Sequence, residues 1–254
     1  MPSLLAAYKV SLVLIVGLTL IYAFQGYYPE FIQFFSNAFP PVIAGAAVIS
    51  CGFSLEKYWH RAREEFSMVW LYFTWGLFLW FVGEAVWAGY TLVWGVEIPY
   101  PSIADAFWLC GYIPFFMALY LYVKIFGPVL SKRILASSMA FTLGLTAIVS
   151  ITLITPVLGA EEDLATMMVD FAYPFFDLAL FSVAFLGLLI FLKGRLGKSW
   201  LLINMAILMN ACADMLFSYT TAQEIYYSGH PIDLLFCLSY LFFLLAFYVH
   251  TKEF

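Results

Sequence analysis

The sequence predicts an all-α integral membrane protein of eight transmembrane helices, set as two parallel four-helix repeats with N and C termini cytoplasmic. Three observations lead there. Of the 254 residues, 65% are hydrophobic and only 11% charged, with mean hydropathy +0.95. Soluble domains carry roughly 25% charge, and a water-soluble fold of this size cannot hide so much apolar surface. Eight apolar stretches approach the length of about 20 residues that crosses roughly 30 Å of hydrocarbon. All eleven Lys and Arg fall in the intervals that an eight-span chain with inside termini leaves in the cytoplasm.

The spans are read at 4–24, 40–55, 68–93, 102–126, 134–158, 167–192, 199–219 and 231–250. The first is a span and not a signal peptide, because no small-residue cleavage site precedes Gln25-Gly26-Tyr27-Tyr28. The second is the shortest, and whether it crosses fully is left open. Lys57, Arg61 and Arg63 separate spans two and three. Lys124, Lys132 and Arg133 mark the junction of spans four and five, and Lys193, Arg195 and Lys198 lie between six and seven. Lys9 and Lys252 stand near the two ends. The outer loops hold Glu30, Glu97, Glu161, Glu162, Asp163 and Glu224. Trp94, Tyr100, Tyr226 and Tyr227 outside, with Tyr58, Trp59 and Trp200 inside, fit interfacial aromatic belts. A multi-pass protein of the cell membrane is expected, with membrane lipid as its surroundings.

The chain resembles itself, with 1–128 as one four-span unit and 129–254 as the other. Gly83-Glu84-Ala85-Val86-Trp87 on span three matches Ala213-Asp214-Met215-Leu216-Phe217 on span seven. Ala104-Asp105, with Tyr112 seven residues on, matches Ile232-Asp233 with Tyr240 seven residues on. Ala38-Phe39-Pro40 echoes Ala172-Tyr173-Pro174. An even number of spans per unit makes the repeat parallel.

Ionisable groups within a bilayer are costly and mark functional positions. Six acids lie within spans or at their starts: Glu84, Asp105, Asp170, Asp177, Asp214 and Asp233. The predicted orientation puts all six in the outer half, with Asn210 one turn below Asp214. Tyr90, Tyr112, Tyr173, Tyr219 and Tyr240 supply hydroxyls, and Trp87 lies one turn from Glu84. These residues form the candidate ligand-binding set, an acidic, Tyr-rich cavity open to the outer side. With no Lys or Arg at that level, the acids must share protons, take Tyr and backbone donors, or hold a cation. Asp105, Asp170 and Asp233 also suit a plainer role, capping the outer N-termini of their helices.

Other chemistry is excluded or weak. His60, His230 and His250 are too scattered to ligate haem or zinc, so no metal or other cofactor is expected. Cys51, Cys110, Cys212 and Cys237 form no CxxC and read as small buried hydrophobes. The run Trp70, Trp75, Trp80 and Trp87 reads as packing, and no mid-span Lys allows a retinal Schiff base. With net charge −5, nucleic acid is not a partner.

Two resemblances add to this reading. The run from Gly83 to Trp87, followed by Val96-Glu97-Ile98-Pro99-Tyr100-Pro101-Ser102-Ile103-Ala104-Asp105 and on to Tyr112, resembles the multi-span N-terminal sensor region of bacterial and archaeal diguanylate cyclases and histidine kinases. It implies a sensory role, here through a separate signalling partner, because no output domain follows. Gly83-Glu84 and Ala213-Asp214 are similar to the acidic motifs of the eight-span lysoplasmalogenase family, with Glu84 in place of the usual Asp. That resemblance implies Glu84 and Asp214 as a catalytic pair hydrolysing a vinyl-ether lipid. The leading expectation is a sensory or small-ligand-binding module for a small-molecule or lipid ligand. An intramembrane lipid hydrolase and a cation or proton-coupled transporter are the alternatives, so enzymatic activity stays open.

Overall fold

The computed structural model describes residues 3–59, 65–96, 98–159, 163–192 and 197–253. His60, Arg61, Arg63, Glu97, Glu161, Glu162, Lys193 and Arg195 lie outside the described residues. Among those described, the regular structure is helical throughout, and eight helices are long and apolar enough to cross a membrane. That marks a multi-pass membrane protein.

The helices are α1 (Leu4–Ala23), α2 (Pro29–Trp59), α3 (Glu65–Ala88), α4 (Ile103–Phe126), α5 (Lys132–Val149), the short α6 (Thr155–Gly159), α7 (Leu164–Leu192), α8 (Lys198–Ala222) and α9 (Asp233–Glu253). A π-helical turn, Ser150–Ile154, joins α5 to α6, and another, Gly89–Trp94, prolongs α3.

The second helix corrects the short span expected at 40–55: α2 has 31 residues. At 1.5 Å per residue that is roughly 46 Å, ample for a crossing. Its first turns escape a hydropathy reading because they carry Glu30, Gln33, Ser36 and Asn37. The structure satisfies Ser36 and Asn37 locally and across helices, Ser36 donating to the Gln33 carbonyl at 3.2 Å. Asn37 donates to the Gln33 carbonyl at 2.7 Å and accepts the Trp87 indole N–H at 2.9 Å. Pro29 at the first helical position and Glu30 in the first turn suit a helix start.

Six helices close into a ring in the order α2, α3, α4, α7, α8, α9, each packed on its two neighbours, with α9 returning to α2. Outside this ring α1 rests on α9, and α5 rests on α7. Aromatic rings fill the middle: Phe115 stacks on Phe243 at 5.7 Å, and Trp70 meets Trp200 at 5.5 Å. Tyr122 stacks on Trp200 at 4.1 Å, and His250 lies against Trp70 at 4.0 Å. The outward faces of α1 and α5 expose Leu12, Val13, Leu143 and Ile148, as a lipid-covered surface would.

The two ends of the ring differ in chemistry. At one, Lys57 donates to the Thr251 carbonyl at 2.6 Å, and the Tyr58 hydroxyl meets His250 Nε2 at 2.9 Å. The ends of α2 and α9 are therefore side by side. The acids gather toward the opposite end.

Candidate functional site: an acid–tyrosine network

Five of the six acids accept a tyrosine hydroxyl, and the sixth, Asp214, has one beside it. Tyr240 on α9 donates to Glu84 Oε1 on α3 at 2.9 Å. Tyr173 on α7 donates to Asp105 Oδ1 on α4 at 2.8 Å. Tyr112 on α4 donates to Asp177 Oδ1 on α7 at 2.6 Å, and its oxygen stands 3.1 Å from Asp214 Oδ2 on α8. Tyr226 donates to Asp233 at 3.1 Å, and Tyr100 donates to Asp170. Tyrosine suits this place because its ring joins the apolar packing while its hydroxyl satisfies a buried polar group.

Asp105 combines both roles that the sequence allows it. Its Oδ2 accepts the Ser102 N–H at 2.6 Å and the Ser102 hydroxyl at 2.8 Å, while Oδ1 holds Tyr173. Ser102 and Asp105 sit at N-cap and N3, so the spacing of a capping box was readable in the sequence. Asp233, the first residue of α9, accepts the Gly229 N–H at 2.9 Å and closes the preceding loop. Gly229 has φ +93°, a conformation that L side chains rarely adopt.

Asp170 lies well inside α7 and is no cap. The cap of α7 is Asp163, which accepts the N–H groups of Thr166 at 3.1 Å and Ala165 at 2.8 Å. The Thr166 backbone and hydroxyl beside it hold the Asp163 carboxyl below its ordinary range. Because α7 begins at Leu164, Asp177 falls midway along its helix, deeper than the outer position expected for it.

The densest part of the network lies where α4, α7 and α8 meet. Asn210, one turn before Asp214, donates to Asp214 Oδ2 at 2.6 Å, the same oxygen that Tyr112 approaches. The bonded Asp177 and Asp214 oxygens are thus no more than about 6 Å apart, with the Tyr112 hydroxyl between them. Asp177 and Tyr112 are each only 1% exposed, and Asn210 4%. Glu84 and Asp214 keep partial exposure. Around Glu84, the Trp108 indole also stands near the carboxylate, and Gly83 makes room for it. A Cβ on Gly83 would stand 2.5 Å from Trp108 Nε1.

The structure brings Glu84, Asp105, Asp170, Asp177, Asp214, Asp233, Tyr112, Tyr173, Tyr240 and Asn210 into this network. Glu84 and Asp214 share no hydrogen-bond partner among the described residues; each has its own tyrosine. Trp87 is linked to Asn37, and its ring meets Trp108 at 5.7 Å. Tyr90 packs on Trp94 at 5.0 Å, and Tyr219 is 42% exposed near the end of α8. Sequence reasoning named Tyr100 and Tyr226 only as belt aromatics and missed Ser102 and Trp108 as partners of acids.

A separate groove of about 230 Å³ lies between α5 and α7, lined by Thr142, Thr146, Phe175, Leu178, Ala179 and Ser182. Among the described residues no three His, Cys, Asp or Glu converge as metal ligands do. The acids are spread over α3, α4, α7, α8 and α9, and Asp177 and Asp214 share the Tyr112 hydroxyl. Comparison of the chain with protein-family models, with curated proteins and with solved structures finds no match in any of the three.

Proposed function

We propose that the chain is a sensory or small-ligand-binding module of the cell membrane, which receives a small cationic ligand from the outer side at the acid–tyrosine network. The observation that carries this reading is an uncompensated charge. No Lys or Arg occurs between Arg63 and Lys124, between Arg133 and Lys193, or between Lys198 and Lys252. The acids of α3, α4, α7, α8 and α9 are instead held by Tyr, Ser, Asn and backbone donors. A cation entering beside the partly exposed Glu84 and Asp214 would supply the missing charge. Signalling then runs through a separate protein partner.

Two parallel four-helix repeats, with both termini cytoplasmic, account for the site's layout. At the offset that relates Glu84 to Asp214, Trp70 is mate to Trp200. At the offset that relates Asp105 to Asp233, Phe115 is mate to Phe243. Both pairs touch, as mates beside a two-fold axis must. The bonds Glu84–Tyr240 and Asp214–Tyr112 are also reciprocal, the acid of each half held by the tyrosine of the other.

The test is a thermal-shift comparison of the full chain in lipid nanodiscs, using a panel of small organic amines, neutral analogues and anions. Amines are expected to raise the unfolding temperature. Glu84→Gln and Asp214→Asn should stay folded and inserted, because each removes a charge that is costly to bury, yet lose that response. A panel in which no amine acts, or a response kept by both variants, defeats the proposal. A second reading, an intramembrane lipid hydrolase, is favoured by the two carboxyls flanking Tyr112, an arrangement suited to general acid–base work. Release of an aldehyde from a vinyl-ether lysolipid would favour that reading over the first.

A further inference from the structure

The geometry points to the Asp177–Tyr112–Asp214 triad as a proton-binding site, in which one proton shared by two carboxyls ties α4, α7 and α8 together. The argument begins with the hydroxyl. Tyr112 has one proton to donate, yet its oxygen stands 2.6 Å from Asp177 Oδ1 and 3.1 Å from Asp214 Oδ2. With both carboxyls ionised, only one of those contacts is a hydrogen bond, and the other sets two oxygens together with no proton between them. One added proton completes the set: a protonated carboxyl donates to the Tyr112 oxygen, while the Tyr112 O–H donates to the remaining carboxylate. Nothing else is consumed or released.

An independent observation concerns the atoms around the triad. Asp177 Oδ2 and Asn210 Oδ1 are buried and have no hydrogen-bond partner among the described residues. The junction is therefore rich in acceptors and short of donors; a shared proton adds one donor, between Tyr112 and a carboxyl, and lowers the charge of the pair whose other oxygens stay unpaired.

The groups facing the triad do not offset its charge. Tyr173 stands near on α7 and Cys212 on α8, while Glu84 on α3 and Tyr240 on α9 lie across the bundle, within electrostatic range of Asp214. None is a fixed cation. Like charges so placed cannot both ionise cheaply. The site needs no second ligand, so it stands or falls apart from the amine-binding reading.

The experiment is infrared spectroscopy of the full chain in nanodiscs across a pH series, with unfolding temperatures measured on the same samples. A protonated-carboxyl C=O band should persist at neutral pH in the wild type and be lost in Asp177→Asn and in Asp214→Asn. Unfolding temperature should fall as pH rises through the point where the band disappears, and this dependence should flatten in Asp177→Asn. Absence of the band at neutral pH, its survival in both Asn variants, or parallel stability curves would overturn the assignment. Should an Asn variant fail to fold, Tyr112→Phe keeps the ring stack on Phe176 and carries the test. There the band must shift in frequency, and an unshifted band refutes the shared proton.

Discussion

The two halves of the bundle treat their acids differently. In one, Glu84 meets Tyr240 and the Trp108 indole, and α2 brings no acid to it. In the other, Asp214 meets Tyr112 and Asn210, and α7 adds Asp177. Under the proposed repeat, Ile43 on α2 is the mate of Asp177 on α7, and Phe39 is the mate of Tyr173. Ile43 is 5% exposed and sits in the aromatic core. One half thus spends these positions on apolar packing, and the other spends them on a polar junction. Under that repeat, two related scaffolds hold the proposed site between them, and the departure from symmetry falls at Asp177.

The strongest challenge to this comparison is to copy the junction into the apolar half. Ile43→Asp should destabilise the protein by roughly 3 kcal/mol, the translocon-scale cost of an acid at mid-membrane, because Tyr240, the mate of Tyr112 under the proposed repeat, already donates its proton to Glu84. Reversible unfolding in mixed detergent measures this. A neutral substitution would show that both halves offer the same polar surroundings, and the contrast would collapse.

A finer test compares the two tyrosines. Tyr112→Phe strips the hydroxyl from between two carboxyls and should cost about 2–3 kcal/mol, while Tyr240→Phe, serving Glu84 alone, should cost about 1.5 kcal/mol. Equal losses in the same unfolding assay would make the two acids equivalent. The smallest expected effect concerns the helix starts. Asp105→Asn keeps an acceptor for Tyr173, weakens the bonds to Ser102 and should cost about 1 kcal/mol, with the amine response preserved. Loss of that response in Asp105→Asn would move the site outward, to the start of α4.

Much of the architecture was legible because a membrane imposes a local condition. Length and composition decide whether a segment can cross, and seven of the eight helices appear close to the stretches their hydropathy marks. The second was misread for a local reason too: Gln33, Ser36 and Asn37 lower the hydropathy of a segment that is helical from Pro29. Only a contact 50 residues away, Trp87 to Asn37, shows how that polar surface is satisfied. Asp163 does not read as a cap from hydropathy, because the strongly apolar run begins later, at Met167, than the helix it caps.

What the sequence determined by itself is the number of long apolar helices, the six acids within them, the shortage of basic residues around them and the supply of tyrosine. Each follows from residue type and spacing along one strand of chain. Which tyrosine meets which acid was decided only by the tertiary structure. The partners are 65 to 156 residues apart in the four bonds that cross between helices, and no periodicity within a helix encodes them. Ring closure from α9 back to α2, and the packing of α4 on α7, brought Tyr112 between Asp177 and Asp214 and left Glu84 with a partner of its own. The reason is physical: a helix satisfies its own backbone locally, but a carboxyl inside a bundle can be satisfied only by what the neighbouring helices present to it.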